Sequence, residues 1–375
     1  MKIACIIHSL DGGGAERVMA ATATRLSERG HDVILFTLDD GQKNRHVVGP
    51  NVTRIPLDLM RQSSSLLARI GNRRRRVKKV REALCQCKPN VVLSFCDRTN
   101  IAVLSALKGI AFKDAEQTAR LPCVISERSD PAQQNLGWFW EWMRRRTYKT
   151  ADHVIALTKT SANHLANVCG DVPISVIASA VDEPPIKSNR EKACENKRIV
   201  AIGRMEREKG FDRLLNAFAI VARSHPDWSL RIFGEGSLRD ELQQQAAELG
   251  IDDRLEMPGW VRPIWNELCD ATIFALPSRY EGFPSALLES MACGVPSIAV
   301  DCESGPRAII QHEQNGLLVT NNEQALASGI QQLIQDDELR ERIGQQGGDV
   351  VSTFSWDRML DEYQNVLTMV ASETT

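Results

Sequence analysis

Short apolar runs alternate with amphipathic segments along the first half of the chain. Residues Ala15–Arg29 carry apolar side chains at helical spacing, and the glycine turn Gly12–Gly14 precedes them. The apolar runs predicted as buried strands are Lys2–His8, His31–Leu38, Val91–Phe95 and Cys123–Ser126. This order of strand, helix and strand predicts a parallel sheet with helices on both faces.

The second half of the chain repeats the same pattern. Its predicted strands are Arg198–Ile202, Leu230–Phe233, Leu255–Met257 and Thr272–Leu276. Its predicted helices are Arg213–Ser224, Leu238–Leu249 and Trp265–Cys269. The sequence therefore predicts an α/β fold with two doubly wound, Rossmann-like parallel sheets.

A polar stretch that carries adjacent prolines separates the two series, and we place a linker at residues 181–197. This divides the chain into a Rossmann-like domain at 1–180 and a second one at 198–355. Residues 356–375 are predicted to form a helix that packs back on the first domain. Because ligands bind at the carboxyl ends of strands in such sheets, we expect the site in a cleft between two facing domains.

Size and composition fit two domains of an ordinary globular protein, with 375 residues, 43% hydrophobic and 25% charged. No apolar run is long enough to cross a bilayer and the first strand lacks a cleavage site, so we expect a cytoplasmic protein. The ten cysteines form no CxxC pair and do not cluster with the seven histidines. Free thiols are therefore expected, and a zinc site is not.

The segment Ser278–Pro296 holds two carboxylates eight residues apart, Glu281 and Glu289, on either side of a Gly-Phe-Pro turn. Pro284 suits the first position of a helix, whose N-terminus attracts anions. Two acids around such a terminus would bracket the phosphates of a nucleotide sugar. A hydrolytic acid pair is the alternative, but eight helical residues span about 12 Å, against roughly 5–9.5 Å in glycosidases.

Two cations, Arg204 and Lys209, lie on a glycine-bounded loop after the first strand of the second sheet. They could clamp a diphosphate, or the loop could be a solvated surface of mixed charge, since Glu206–Glu208 lies between them. The acidic turn in the same sheet favours the clamp. The chain has no DxD pair for a Mg²⁺–diphosphate, so no metal is expected.

The Gly12–Gly14 turn permits close approach of backbone N–H groups to a phosphate, or is only a tight turn. A dinucleotide-binding GxGxxG motif would need Gly or Ala at position 17, where this chain has Arg17. An oxidoreductase that uses NAD is therefore disfavoured, although Asp39 and Asp40 end the second strand.

Charge is distributed unevenly, because residues 1–175 hold 27 Lys and Arg against 16 Asp and Glu. Two basic stretches contribute: Arg69–Arg81, and Trp138–Tyr148, which adds aromatic side chains. They are either a solvated helix face and a partly buried aromatic cluster, or a surface that meets anionic lipid. Nucleic acid would also attract this charge, but no recognised nucleic-acid motif accompanies it, and we prefer the membrane.

Taken together, these motifs resemble those of the retaining glycosyltransferases of family 4, which have the GT-B fold. The segments that carry the resemblance are Gly13–Arg17, the Gly-Arg-x4-Lys-Gly pattern at 203–210, the paired acids Glu281 and Glu289, and Asn315–Val319. The resemblance implies that Glu281 contacts the transferred sugar, that Glu289 contacts the ribose, and that Arg204 and Lys209 hold the diphosphate. The other donor-binding positions that it implies are Gly13, Gly14, Val261, Gly282, Phe283, Pro284 and Ser285.

The resemblance also implies an enzyme that needs neither metal nor cofactor and retains the anomeric configuration. Ser304–Arg307 resembles the subgroup that builds polyprenyl-diphosphate-linked glycans. Many relatives have a histidine in the first domain that touches the donor sugar, whereas the matching stretch here, Ile125–Pro131, has none. Glu127, Arg128 or Asp130 would take its place.

The function expected from the sequence is transfer of a hexose or N-acetylhexosamine from a nucleotide sugar, UDP-linked, to a lipid-linked or glycan acceptor. The enzyme would work at the cytoplasmic face of a membrane, with its basic first domain against the lipid. A protein of the same fold that binds nucleotide sugars without catalysis is the alternative. Turnover of a labelled donor distinguishes the two.

Overall fold

The computed structural model describes residues 1–60, 66–114, 117–186 and 188–373. The chain divides into two compact units, one formed by Met1–Ala178 with Asp357–Thr375 and the other by Ser179–Trp356. Each unit is built on one parallel sheet, so the predicted pair of doubly wound sheets is confirmed. None of the helices in the described ranges is long and apolar enough to span a membrane.

The first unit contains nine strands and five helices among its described residues before the final helix. The strands are β1 (Lys2–Ile7), β2 (Asp32–Thr37), β3 (Thr53–Pro56), β4 (Val91–Phe95), β5 (Ala111–Asp114), β6 (Gln117–Arg120), β7 (Cys123–Ser126), β8 (His153–Ala156) and β9 (Ile174–Val176). The helices are α1 (Gly14–Glu28), α2 (Leu66–Cys87), α3 (Asp97–Leu107), α4 (Trp138–Thr147) and α5 (Lys159–Cys169).

Seven of these strands form one parallel sheet in the order β3-β2-β1-β4-β7-β8-β9, while β5 and β6 pair antiparallel outside it. The central strands β1 and β4 are mostly apolar and buried, as expected where helices cover both faces. The order reverses between β1 and β4, which are direct neighbours. The carboxyl ends of these two strands mark the point where ligands bind in folds of this type.

The second unit contains six strands and eight helices among its described residues. The strands are β10 (Arg198–Ile202), β11 (Ser229–Phe233), β12 (Leu255–Gly259), β13 (Ile273–Leu276), β14 (Ser297–Val300) and β15 (Leu317–Val319). The helices are α6 (Arg190–Glu195), α7 (Phe211–Ser224), α8 (Arg239–Leu249), α9 (Trp265–Cys269), α10 (Ser285–Ala292), α11 (Glu323–Gln335), α12 (Asp337–Gly347) and α13 (Val350–Thr353).

The strand order of the second sheet, β12-β11-β10-β13-β14-β15, is that of the Rossmann fold. Helix α7 shows why the unit is stable, because Leu214, Leu215 and Phe218 recur at helical spacing and are fully buried. They pack with residues of β10, β11 and α11 in one hydrophobic core. The sheet order reverses between β10 and β13, which pair directly.

The final helix, α14 (Trp356–Glu373), contributes to the core of the first unit. Tyr363 is fully buried, its hydroxyl lies 3.3 Å from Ser126 Oγ, and its ring centroid is 6.1 Å from that of Phe95. Arg29 Nη1 donates to Asp361 Oδ1 at 2.6 Å on the outside. These contacts explain why the residues from Asp357 onward belong to the first unit.

Several boundaries differ from the sequence prediction. The segment predicted as a linker, 181–197, lies in the second unit and contains α6, which the Asn189 side chain caps by accepting from Lys192 N. Arg190 then donates to the carbonyls of Ala271 and Thr272, which ties the segment to that sheet. Pro284 occupies the N-cap position of α10 and not its first helical position.

Candidate active site

An ion pair marks the reversal point of the second sheet. Lys209 ends a 3-10 turn in the loop after β10, and Glu281 lies in the loop after β13. Lys209 Nζ donates to Glu281 Oε1 at 2.7 Å. Because β10 and β13 are neighbouring parallel strands, their carboxyl ends bring these two loops to the same edge.

The Glu281 carboxylate is held by a second donor, since Ser278 Oγ also donates to Oε1 at 2.7 Å. The Glu281 side chain is only 8% exposed. Gly305 packs tightly here, because a Cβ on it would lie 2.6 Å from Pro284 Cδ and 3.2 Å from Glu281 Cβ. Charge-assisted hydrogen bonds and close packing therefore fix the carboxylate in one position.

Helix α10 begins directly after this carboxylate. Its N-cap residue, Pro284, has no side-chain group that can cap the first backbone N–H groups. Phe283 is buried and packs edge-on against Phe354, with ring centroids 5.4 Å apart, which anchors the turn. Gly282 precedes Phe283 and Pro284, and Ser285 follows them. The arrangement gives a helix N-terminus that suits an anion beside Lys209.

The second acid of the pair, Glu289, lies inside α10 and is 1% exposed. Arg262 Nη1 donates to Glu289 Oε1 at 2.7 Å. Arg262 follows Val261 in the loop after β12, and the sequence analysis named Val261 only. The sequence signal that indicates Arg262 is a single cation in the Gly-Trp-Val-Arg segment at the end of a predicted strand. The two acids therefore each have their own cation.

Arg204 is placed differently from Lys209. Its guanidinium donates to Glu208 Oε1 at 3.0 Å and its side chain is 67% exposed. The backbone of its loop is fixed, since Glu206 accepts from the N–H and hydroxyl of Ser237, and these bonds lower the pKa of Glu206. Within the described residues, Arg204 forms no hydrogen bond with Glu281 or Glu289.

The predicted residues of the first unit gather at the carboxyl ends of β1 and β7. Gly13 is the N-cap of α1 and Gly14 its first residue. Glu16 folds back, so that a Cβ on Gly13 would lie 2.1 Å from its carboxylate, and Glu16 Oε1 pairs with His8 Nε2 at 3.0 Å. The turn thus places an acid and a histidine beside the predicted glycines.

Glu127 is buried in a network of its own unit. Its carboxylate accepts from Tyr148 OH at 2.7 Å, and from Ser129 Oγ at 3.0 Å. Burial, and after it the nearby Asp97, raise the pKa of Glu127 to about 7. Since the side chain is 1% exposed, protein groups take up the contacts that a sugar would need.

The two neighbouring candidates also contact protein groups. The Arg128 guanidinium stacks on the Phe95 ring at 4.8 Å. Asp130 is 1% exposed, accepts from Ala132 N at 3.0 Å and lies 3.5 Å from His164 Nδ1. No group of three or more His, Cys, Asp or Glu side chains in the described ranges is arranged to hold a metal ion.

Two family models match successive parts of the chain. Residues 12–183 match the model "Glycosyltransferase Family 4", and residues 182–349 match "Glycosyl transferases group 1". Together they span both units. The chain therefore belongs to the family 4, group 1 glycosyltransferases.

Curated relatives agree with this family. An uncharacterized glycosyltransferase of Haemophilus influenzae is 28% identical over 194 residues, which are 52% of this chain and 55% of that protein. The chain thus spans about half the length of that relative. An α-1,4-N-acetyl-D-galactosaminyltransferase of Campylobacter jejuni, named for a diphospho-undecaprenol-linked glycan, is 28% identical over 92% of this chain and 91% of its own length.

Solved structures are similar to the whole chain. Sucrose-phosphate synthase of Thermosynechococcus elongatus has a TM-score of 0.86 at 17% identity and covers 100% of both chains. The Anabaena protein Alr3699/HepE, in complex with UDP and glucose, has a TM-score of 0.76 at 19% identity and covers 98% of this chain and 99% of its own. At these identities the likeness establishes the fold, which is GT-B.

Proposed function

We propose that this protein transfers a hexose or an N-acetylhexosamine from a UDP-sugar to a lipid-linked or glycan acceptor. The observation that carries the proposal is the Lys209–Glu281 pair at the N-terminus of α10. It combines a cation, a helix terminus and a fixed carboxylate at the reversal point of the sheet. A diphosphate and a sugar, joined in one molecule, need those groups side by side.

Each donor group has a proposed partner. Lys209 and the backbone N–H groups of Gly282, Phe283 and Ser285 bind the diphosphate. Glu281 binds hydroxyls of the sugar, and Glu289 binds the ribose. Arg204 joins the diphosphate when its exposed side chain leaves Glu208. Val261 is proposed to contact the base. UDP in the HepE complex supports uracil as the base.

The proposed reaction retains the anomeric configuration and uses no metal. The bond between the anomeric carbon and the diphosphate oxygen breaks, and an acceptor hydroxyl attacks from the same face. The departing phosphate oxygen takes the proton of that hydroxyl. Lys209 and the helix N-terminus stabilise the charge that develops on the diphosphate, which is the role a metal has in other transferases.

The acceptor is proposed to reach the enzyme at the cytoplasmic face of a membrane. The Campylobacter relative is named for a glycan on diphospho-undecaprenol, which supports a lipid-linked acceptor. In the first unit, Trp138 is 84% exposed and Trp142 52% exposed, beside the arginines of α4. Exposed tryptophans and cations together suit the interface of an anionic membrane.

A panel of nucleotide sugars tests the proposal. The purified protein is heated with UDP-glucose, UDP-galactose and their N-acetylamino forms, with UDP and with GDP-mannose. We expect one UDP-sugar to raise the melting temperature most and to be consumed when a lipid-linked acceptor is added. Stabilisation without turnover of any donor favours the non-catalytic alternative. No stabilisation by any uridine nucleotide contradicts the proposal.

A further inference from the structure

The first unit contains a large cavity between α2, α3 and α4, with a volume of about 1710 Å³. Its inner wall is apolar, since Leu104, Leu107 and Met143 line it and are buried. Ligand sites for small molecules are typically about 300–1,000 Å³. The cavity therefore has room for a long molecule with a hydrocarbon part.

The described lining of this cavity has a large excess of positive charge. Its cations are Arg73, Arg74, Arg76, Lys78, Arg81, Lys108, Arg120 and Arg146. Its carboxylate is Asp152, which already accepts from Arg120. A ligand that enters must offset this positive charge, so the lining favours an anion.

Two of the cations are placed on one aromatic pair. Arg73 lies over the Phe139 ring at 5.8 Å and Arg146 over the Trp142 ring at 5.6 Å. The centroids of the two rings are 6.3 Å apart. Among the ion pairs of the described ranges neither arginine has a carboxylate partner. Each guanidinium group can thus bind a phosphate while it remains stacked on its ring.

Two cations of α2, Arg81 and Arg76, have structural contacts that leave them less suited to this role. Arg81 donates to the carbonyls of Ala106 and Lys108, which holds α2 against the end of α3. Arg76 donates to the carbonyl of Leu59 at 3.2 Å. The phosphate is therefore assigned to the α4 side of the cavity.

We propose that this cavity binds one anionic lipid, with its phosphate on Arg73 and Arg146 and its hydrocarbon chain along the wall of α3 and α4. Free phosphate would leave the apolar wall without a ligand. A nucleic acid would stack its bases but would bury little aliphatic surface. The exposed Trp138 also lines the cavity, as expected where a lipid enters from an interface.

The inference deepens the proposed function and rests on it for the identity of the lipid, because a lipid-linked acceptor carries phosphate on a long hydrocarbon. The binding itself requires no sugar transfer. It also involves residues of the first unit alone, whereas Lys209 and Glu281 belong to the second. The two claims can therefore fail separately.

Calorimetric titration of the full chain with dodecyl phosphate, below its micelle concentration, tests the proposal. Butyl phosphate and inorganic phosphate test whether the hydrocarbon matters, and dodecyl maltoside tests whether the charge matters. We expect one molecule of dodecyl phosphate per chain, bound about tenfold or more tightly than each of the other three.

Adjacent arginines provide matched variants. Arg146 lines the cavity, whereas Arg145 pairs with Glu141 at 3.4 Å and is not part of the described lining. Arg146→Gln should lower the affinity for dodecyl phosphate about tenfold, and Arg145→Gln should leave this affinity unchanged. Ser105 lines the cavity on α3, so Ser105→Phe should fill it and weaken binding while UDP affinity stays unchanged.

Three results would overturn the proposal. Equal affinity for inorganic and dodecyl phosphate would show an anion patch without a lipid chain. Equal effects of Arg145→Gln and Arg146→Gln would place the ligand elsewhere. Binding of an acidic amphipathic peptide, with no dependence on chain length among the phosphates, would assign the cavity to a protein partner. A melting temperature close to that of the wild type in each variant shows that the fold is intact.

Discussion

Lys209 and Glu281 are 72 residues apart in the chain, yet Lys209 Nζ lies 2.7 Å from Glu281 Oε1. The neighbouring strands β10 and β13 end at the same edge and bring the two residues together. Ser278 donates to the same carboxylate oxygen. This hydrogen bond keeps Glu281 in place when Lys209 binds a phosphate. The pair thus joins the proposed diphosphate and sugar positions.

Replacing Lys209 tests the diphosphate position. Lys209→Met removes the ammonium group, and we expect UDP to bind about 10- to 100-fold more weakly, because hydrogen bonds to charged groups contribute about 1.5–3 kcal/mol. Calorimetric titration with UDP measures this. Lys197→Met is the control, since Lys197 precedes β10 at the opposite edge of the sheet. Equal losses in both variants would contradict the assignment.

Arg262 should stabilise the fold through Glu289. Arg262→Gln removes the guanidinium from a carboxylate that is 1% exposed, and we expect a loss of about 1–3 kcal/mol in the free energy of unfolding. Urea denaturation measures it. Arg358→Gln breaks an exposed pair with Glu362 on α14 and should cost about 0.5 kcal/mol or less.

A double variant separates charge from packing at this position. Arg262→Gln takes the guanidinium away from the buried Glu289 carboxylate. Adding Glu289→Gln to that variant removes the negative charge as well. We expect the pair of changes to cost less than the sum of the single changes. Additive losses would show that the ion pair has no role beyond its individual side chains.

Glu127 should make stability depend on pH. Its pKa is about 7 in the folded protein against an ordinary 4.5, so the folded state binds the extra proton. The contribution of the protonated Glu127 side chain to the free energy of unfolding is complete below pH 4.5 and is lost as the pH rises through 7. Glu127→Gln keeps an acceptor for the Tyr148 hydroxyl and removes the dependence.

The measurement is urea denaturation of both proteins from about pH 5 to about pH 8. The advantage of Glu127→Gln over the wild type should grow by about 1–3 kcal/mol across that range. Glu82→Gln on the exposed face of α2 is the control and should follow the wild type. Parallel curves for wild type and Glu127→Gln would show that Glu127 titrates normally.

Charge on α2 should govern membrane association. Arg73→Glu with Arg74→Glu reverses two cations, and each cation near an anionic surface contributes about 1 kcal/mol. We expect sedimentation with vesicles rich in phosphatidylserine to fall strongly, and sedimentation with neutral vesicles to stay low for both proteins. Unchanged binding to the anionic vesicles at low salt would remove the membrane surface from the proposal.

Local patterns explain how much of the fold could be predicted. The strands Val91–Phe95, Cys123–Ser126 and Arg198–Ile202 have the predicted bounds because each is a short, predominantly apolar run. The polar sequence at 181–197 did not indicate α6, and Arg190 of this helix donates to the carbonyls of Ala271 and Thr272. Such distant partners leave no periodic signal in the sequence.

The candidate site shows the same limit. Glu281, Glu289 and Lys209 were predicted because they belong to compact motifs. Arg262 was missed because its partner lies 27 residues away on another element. Glu127 was named as a sugar contact, and its burial against Tyr148 is visible only when β7 and the end of α4 are placed together.

The central claim is that Glu281 acts on the transferred sugar, and the initial rate of transfer by Glu281→Gln tests it most directly. The amide keeps an acceptor for Ser278 and loses the charge that pairs with Lys209. We predict that the rate falls about 100-fold or more while UDP affinity changes less than about tenfold and the protein stays folded. Transfer at the wild-type rate by the folded variant would contradict the account.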